Sequence, residues 1–157
     1  MKNIYFPEED ITKNDLFFVC SMIERVARLL KQRNKYVVNA LDRNGLLRQL
    51  SIAQTLHSEN PQAVAADWID EYGLEDGSFD ITDVDTELCK KIPSVLEMGK
   101  VYVRLILQTR LDAEDYADGI IRVYNNEICE RIDDYNCSAY YEPSYYIARS
   151  YFAGAFD

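Results

Sequence analysis

The sequence predicts an all-α fold, a compact bundle of six or seven helices around a central hydrophobic helix. Three observations carry that reading. Asp15 to Lys31, DLFFVCSMIERVARLLK, places Leu16, Val19, Ile23, Val26 and Leu30 at steps of three and four, which is one face of an α-helix. Phe17, Phe18, Cys20, Met22, Ala27 and Leu29 widen that face, and from Leu16 to Ile23 only Ser21 is polar, so other elements must surround the first half. The third observation is that no two segments alternate in a way that would let strands pair into a sheet.

The elements follow in order. Met1 to Ile11 reads as a leader pinned to the core by Ile4, Tyr5 and Phe6. Thr12 and Asp15 form an acidic capping box that starts the central helix, whose second half has a wet side of Glu24, Arg25, Arg28 and Lys31. Tyr36 to Leu41 is a short helical segment closed by Asp42-Arg43-Asn44-Gly45, with Gly45 free to turn left-handed. Leu46 to Leu56 resumes helical spacing. Asn60 caps and Pro61 opens the next helix, with Val64, Ala65, Trp68, Ile69 and Tyr72 inward and Gly73 at its end.

Leu74 to Thr86 is acidic and aperiodic and reads as a linker, anchored by Val84 and Leu88. It divides the chain into an N-terminal lobe, residues 1–91, and a Tyr-rich C-terminal lobe, residues 92–157, packed on the first. Pro93 or Ser94 starts the second lobe. Residues 101–107, VYVRLIL, suit a strand by composition and a helix by spacing; with no partner strand, helix is the reading. Asp112 caps a helix over Ala113–Asp134, striped by Tyr116, Ile120, Tyr124, Ile128 and Ile132 and closed by Asn136. Ser144 caps a last helix that runs to Ala153 and ends at Gly154.

The totals bound the function. With 157 residues, 48% hydrophobic and 28% charged, the chain has the composition of a globular protein that needs no disulfide or metal. Its net charge of −10 speaks against nucleic-acid and anionic-membrane surfaces, which require basic patches. Cys20, Cys89, Cys129 and Cys137 lack CxxC spacing and read as free thiols of a cytoplasmic protein. No segment approaches the length of a membrane span.

Four constellations stand out. His57, the only histidine, sits at a helix junction beside Glu59; an acid–base role with Glu59 or Asp67 lacks further partners, so hydrogen bonding to a helix end is the simpler reading. Residues 49–68 resemble a degenerate helix-turn-helix, but the would-be reading helix offers Gln62, Asp67, Asp70 and Glu71 and no cation to face phosphate. The run Asp80, Asp83, Asp85 and Glu87 lacks the dividing glycine of a calcium loop. The tail concentrates tyrosines, and Tyr140, Tyr141, Tyr145, Tyr146 and Tyr151 can either anchor a partner or close the edge of a small core. No metal or cofactor is expected, since phosphate-binding loops and ligand clusters are missing from the sequence.

Two stretches carry a resemblance. FFVCSMIERVARLL with LLRQLSIAQTLHSENPQAVAADWIDEY resembles a short uncharacterised bacterial helical family. The tail, with Ile132, Tyr135, Asn136, Ser138, Tyr140, Tyr141, Tyr145, Tyr146 and Ile147, is similar to a second such family. Both occur beside genes for ADP-ribosyltransferase-like toxins, which implies an antitoxin, immunity or accessory role and no catalytic residues. The expectation is a non-enzymatic, acidic interaction module whose partner is another, basic protein, with self-association open. A DNA-binding regulator using residues 49–68 is the alternative.

Overall fold

The computed structural model describes all of Met1–Asp157, and it is all-helical. Seven α-helices and one 3₁₀ turn follow in order: α1 Lys13–Leu30, α2 Asn34–Leu56, α3 Pro61–Glu71, α4 Val95–Gln108, α5 Tyr116–Tyr124, α6 Cys129–Ile132, the 3₁₀ turn Ala139–Tyr141, and α7 Ser144–Ala153. The backbone pairs as β only at an isolated bridge between Lys2 and Asp10.

Helix α1 is the centre. Thr12 and Asp15 close its capping box, and Leu16, Val19, Cys20, Ile23 and Val26 are fully buried. Lys31, in the left-handed conformation, ends it. Helices α4, α2 and α3 pack around α1, and α5 lies across α2 and α4. One core runs from Ile11 to Ala148 and takes side chains from both sides of residue 91. Removing an aliphatic side chain of this core from water contributes on the order of 1.5–3 kcal/mol.

The contact of α1 with α4 is close because Gly99 lies against it. A Cβ at Gly99 would run into Ser21 Oγ and stand 3.1 Å from Phe17. The segment 101–107 is helical, and its aliphatic run is explained by burial: Tyr102, Val103, Leu105 and Ile106 all face the core. Ser94 and Glu97 form a second capping box that sets where α4 begins.

Several expectations are corrected. The N-terminal segment is held by Met1, Asn3 and Ile11, while Ile4, Tyr5 and Phe6 are exposed. Asn3 does the fastening: its Nδ2 donates to Ser51 O at 3.0 Å, and its Oδ1 accepts from the Tyr5 and Phe6 amides. The break in α2 falls at Asp42, with φ of 61°, and Gly45 is helical, its missing side chain making room for Tyr72. Of the expected linker anchors, Val84 packs against the core and Leu88 is exposed; Ile81 and Cys89 are buried as well, and amides of Gly77 and Phe79 bond the carbonyls of Leu30 and Lys31 at the end of α1.

The helix expected over Ala113–Asp134 is two. Asp115, not Asp112, caps α5 by accepting from the Asp118 amide. Asn126 then splits the segment, because its Oδ1 accepts from the Ile128 amide and offers the backbone a turn in place of a helical bond. Asp133, not Asn136, follows α6. At α7, Ser144 is the first helical residue and makes no cap bond; Gly154, with φ of 85°, closes the helix as expected.

Candidate protein-binding groove

The first half of α4 packs beside the 3₁₀ turn and the start of α7, and the seam between them is a groove of ≈ 260 Å³. Its walls are Met98, Val101, Leu105, Ile147, Tyr140 and Tyr141; its polar members are Glu97, Lys100, Arg104, Glu142 and Ser144. Glu142, extended ahead of Pro143, ends the 3₁₀ turn, and Pro143 then precedes the first residue of α7.

The five sequence-predicted tyrosines divide by position. Tyr140 is half-buried, stands edge-on to buried Tyr135 at 5.3 Å and to Tyr141 at 5.0 Å, and is pushed above the usual phenol range by burial and by its neighbours Cys89, Tyr141 and Glu97. Tyr141 is 68% exposed on the groove's edge, and Tyr145, 69% exposed, lies on the first turn of α7 and does not line the groove. Tyr146 is half-buried; its ring carries the Arg149 guanidinium at 5.3 Å and neighbours Phe156.

Tyr151 has a bonded partner of its own: its hydroxyl accepts from Arg122 Nη1 at 2.9 Å. The same guanidinium makes two bonds to the Glu114 carboxylate at 2.7 and 2.8 Å, and these hold Glu114 below the usual carboxylate range. Tyr140 and Tyr141 therefore come together at the groove, and Tyr145, Tyr146 and Tyr151 lie on α7 outside its lining.

Sequence reasoning missed Lys100 and Arg104. Their signal was present: two cations four residues apart on a helix that buries Met98, Tyr102, Val103, Leu105 and Ile106. It also missed a polar chain beneath the surface. Glu24, placed on the wet side of α1, is 1% exposed. Its carboxylate accepts from Arg28 Nε at 2.8 Å, Tyr135 Oη at 3.0 Å and Asn34 Nδ2 at 3.0 Å. Asn34 Nδ2 also reaches Asp133 at 3.3 Å, and Tyr102 Oη donates to Asp133 at 2.6 Å. Burial, with Glu24 close by, drives the Asp133 carboxyl far above the usual range, against the Tyr102 hydrogen bond. Burial thus disfavours the charged form of Asp133, while Glu24 has Arg28 as its ion-pair partner at 2.8 Å.

His57 follows the last turn of α2, exposed, with its ring 4.6 Å from Phe18. It lies tilted at 43° against an aromatic ring where a hydrogen bond to a helix end was expected. The four cysteines are free, and three are buried; burial pushes the Cys20 thiol up to about 12. The chain brings together no group of three His, Cys, Asp or Glu able to hold a metal ion. In the region 49–68, Trp68 is buried with its Nε1 bonded to Gln49, and α3 turns Asp67, Asp70 and Glu71 outward. No helix is long and apolar enough to cross a membrane. Comparison with family models, with curated proteins and with solved structures finds no match to this chain.

Proposed function

We propose that this chain is a non-enzymatic interaction module that binds another protein through the groove between α4 and the 3₁₀ turn with α7. The observation that carries the proposal is the pair Tyr140–Tyr141: one ring is braced against the core, and the other is offered to solvent beside an apolar groove. A braced aromatic loses little rotamer freedom on binding, and such residues dominate binding energy where they become buried.

The net charge of −10 fits a partner whose body is basic, since opposite charge speeds encounter at range. The resemblance to families encoded beside ADP-ribosyltransferase-like toxins supplies the role: a cytoplasmic antitoxin, immunity or accessory protein acting by occlusion. The acidic outer face of α3 gives no support to DNA binding through residues 49–68.

Co-expression with the product of the neighbouring gene tests this reading. The expected result is a complex that survives gel filtration and restores growth to cells expressing that product. Separate elution together with unrelieved growth arrest would refute it.

A further inference from the structure

The two walls of the groove come from distant parts of the chain, α4 on one side and the segment from the 3₁₀ turn into α7 on the other. Both are tied to one half-buried side chain of α1 that does not itself line the groove. Arg28 Nη2 donates to Pro93 O at 2.8 Å, one residue before the Ser94 cap that starts α4. The same nitrogen donates to Tyr135 Oη at 3.1 Å, and the guanidinium carbon stands 5.6 Å from the centre of that ring. Buried Tyr135 meets Tyr140 edge-on at 5.3 Å, and Tyr140 meets Tyr141 at 5.0 Å. Buried Glu24 completes the arrangement: its Oε2 accepts from Arg28 Nε at 2.8 Å and from Tyr135 Oη at 3.0 Å.

Resting on the docking role proposed above, we infer that Arg28 is a positioning residue of the groove. It holds the start of α4 and the ring beneath Tyr140 against α1, and so sets the spacing of the two walls without touching the partner. A guanidinium suits this task because its planar fork of donors serves a carboxylate, a carbonyl and a hydroxyl in fixed directions. The bond to Glu24 is charge-assisted and therefore directional and strong. An aromatic anchor such as Tyr141 yields most affinity when the surface that carries it is already in place, since less freedom is then lost on binding.

Arg28→Lys and Tyr135→Phe in the full chain test this. Lysine keeps a charge beside Glu24 but lacks the spread of the fork, and phenylalanine keeps the ring against Tyr140 but loses the hydroxyl. Hydrogen exchange and side-chain signals in NMR read the two walls. In Arg28→Lys the Met98 amide, which donates to Ser94 O at 3.0 Å in the first turn of α4, should exchange about tenfold or more faster, and the Tyr140 ring signals should shift. Amides of α3, which contributes nothing to the groove, should change only as far as global stability does. Tyr135→Phe should shift the Tyr140 ring and leave the Met98 amide protected, because the bond to Pro93 O remains. Loss of protection spread evenly over α3 and α4, or no local change in either variant, would overturn the positioning role. Affinity for the neighbouring gene's product should fall about tenfold or more in Arg28→Lys. Full affinity there beside weakened binding by Tyr141→Ala would overturn the positioning role and leave docking standing; full affinity in both variants would remove the docking role and the positioning role built on it.

Discussion

Asp133 shows what burial does to one carboxyl. It is 8% exposed, with Glu24 as its charged neighbour and Tyr102, Cys129, Tyr135 and Arg33 around it. Because its folded value lies above the unfolded one, the native chain holds a proton that the unfolded chain has released by about pH 5. Stability therefore falls as pH rises, with a limiting slope of about 1.4 kcal/mol per pH unit from this one group. Asp133→Asn should flatten the fall of urea-unfolding stability that sets in as pH rises above the unfolded carboxyl's value of about 4. An Asn there can accept from Asn34 and donate to Tyr102. Equal slopes for the wild type and the variant would mean that Asp133 is ionised in the fold.

Single residues also explain what could and could not be read from the chain. Leu16, Val19, Ile23 and Val26 announced themselves by spacing, because a buried apolar stripe has the period of its helix. Glu24 did not. A charge on a helix is ordinarily at the surface, and its partners Arg28, Asn34 and Tyr135 lie up to 111 positions away in the chain. Hydrogen-bonded burial of that kind leaves no periodic trace. Tyr135 and Tyr141 likewise look alike in sequence, yet one is buried and the other is mostly exposed.

At the scale of elements, three helix starts expected from the sequence carry side-chain caps. Thr12–Asp15, Asn60–Pro61 and Ser94–Glu97 all mark their helix starts in the sequence and in the structure. The break expected at Asp42–Gly45 falls at Asp42, while the helix read as continuous over Ala113–Asp134 is split at Asn126, where a polar side chain interrupts a continuing apolar stripe. The stripe continues there because the core continues, so periodicity alone joins what the backbone separates.

The α1–α4 crossing makes an element-scale prediction. Gly99→Ala should cost about 1–3 kcal/mol, since the added methyl meets Ser21 Oγ and Phe17. Ser21 Oγ is buried without a hydrogen-bond partner. Ser21→Ala should therefore be close to neutral and should recover part of the Gly99→Ala loss in the double variant. Strict additivity in denaturant unfolding would show that the two helices are not in contact at this pair.

At the scale of the whole molecule, one hydrophobic core carries a chain of net charge −10. The acidic balance was legible from composition; the α4 groove was not, because it depends on which helix the 3₁₀ turn folds against. If the net charge steers a basic partner, the association rate should fall steeply, by about tenfold or more, as ionic strength rises from about 0.02 M to about 0.5 M. Dissociation should change far less. A rate independent of salt would remove steering from the mechanism.

Calorimetric titration of the neighbouring gene's product into the wild type, Tyr141→Ala and Tyr151→Ala separates an aromatic anchor from an aromatic that merely closes the core. The groove predicts that Tyr141→Ala weakens binding about thirtyfold or more at an unchanged melting temperature. Tyr151→Ala should lower the melting temperature and leave affinity nearly intact. Full affinity in Tyr141→Ala would place the binding surface elsewhere on the molecule.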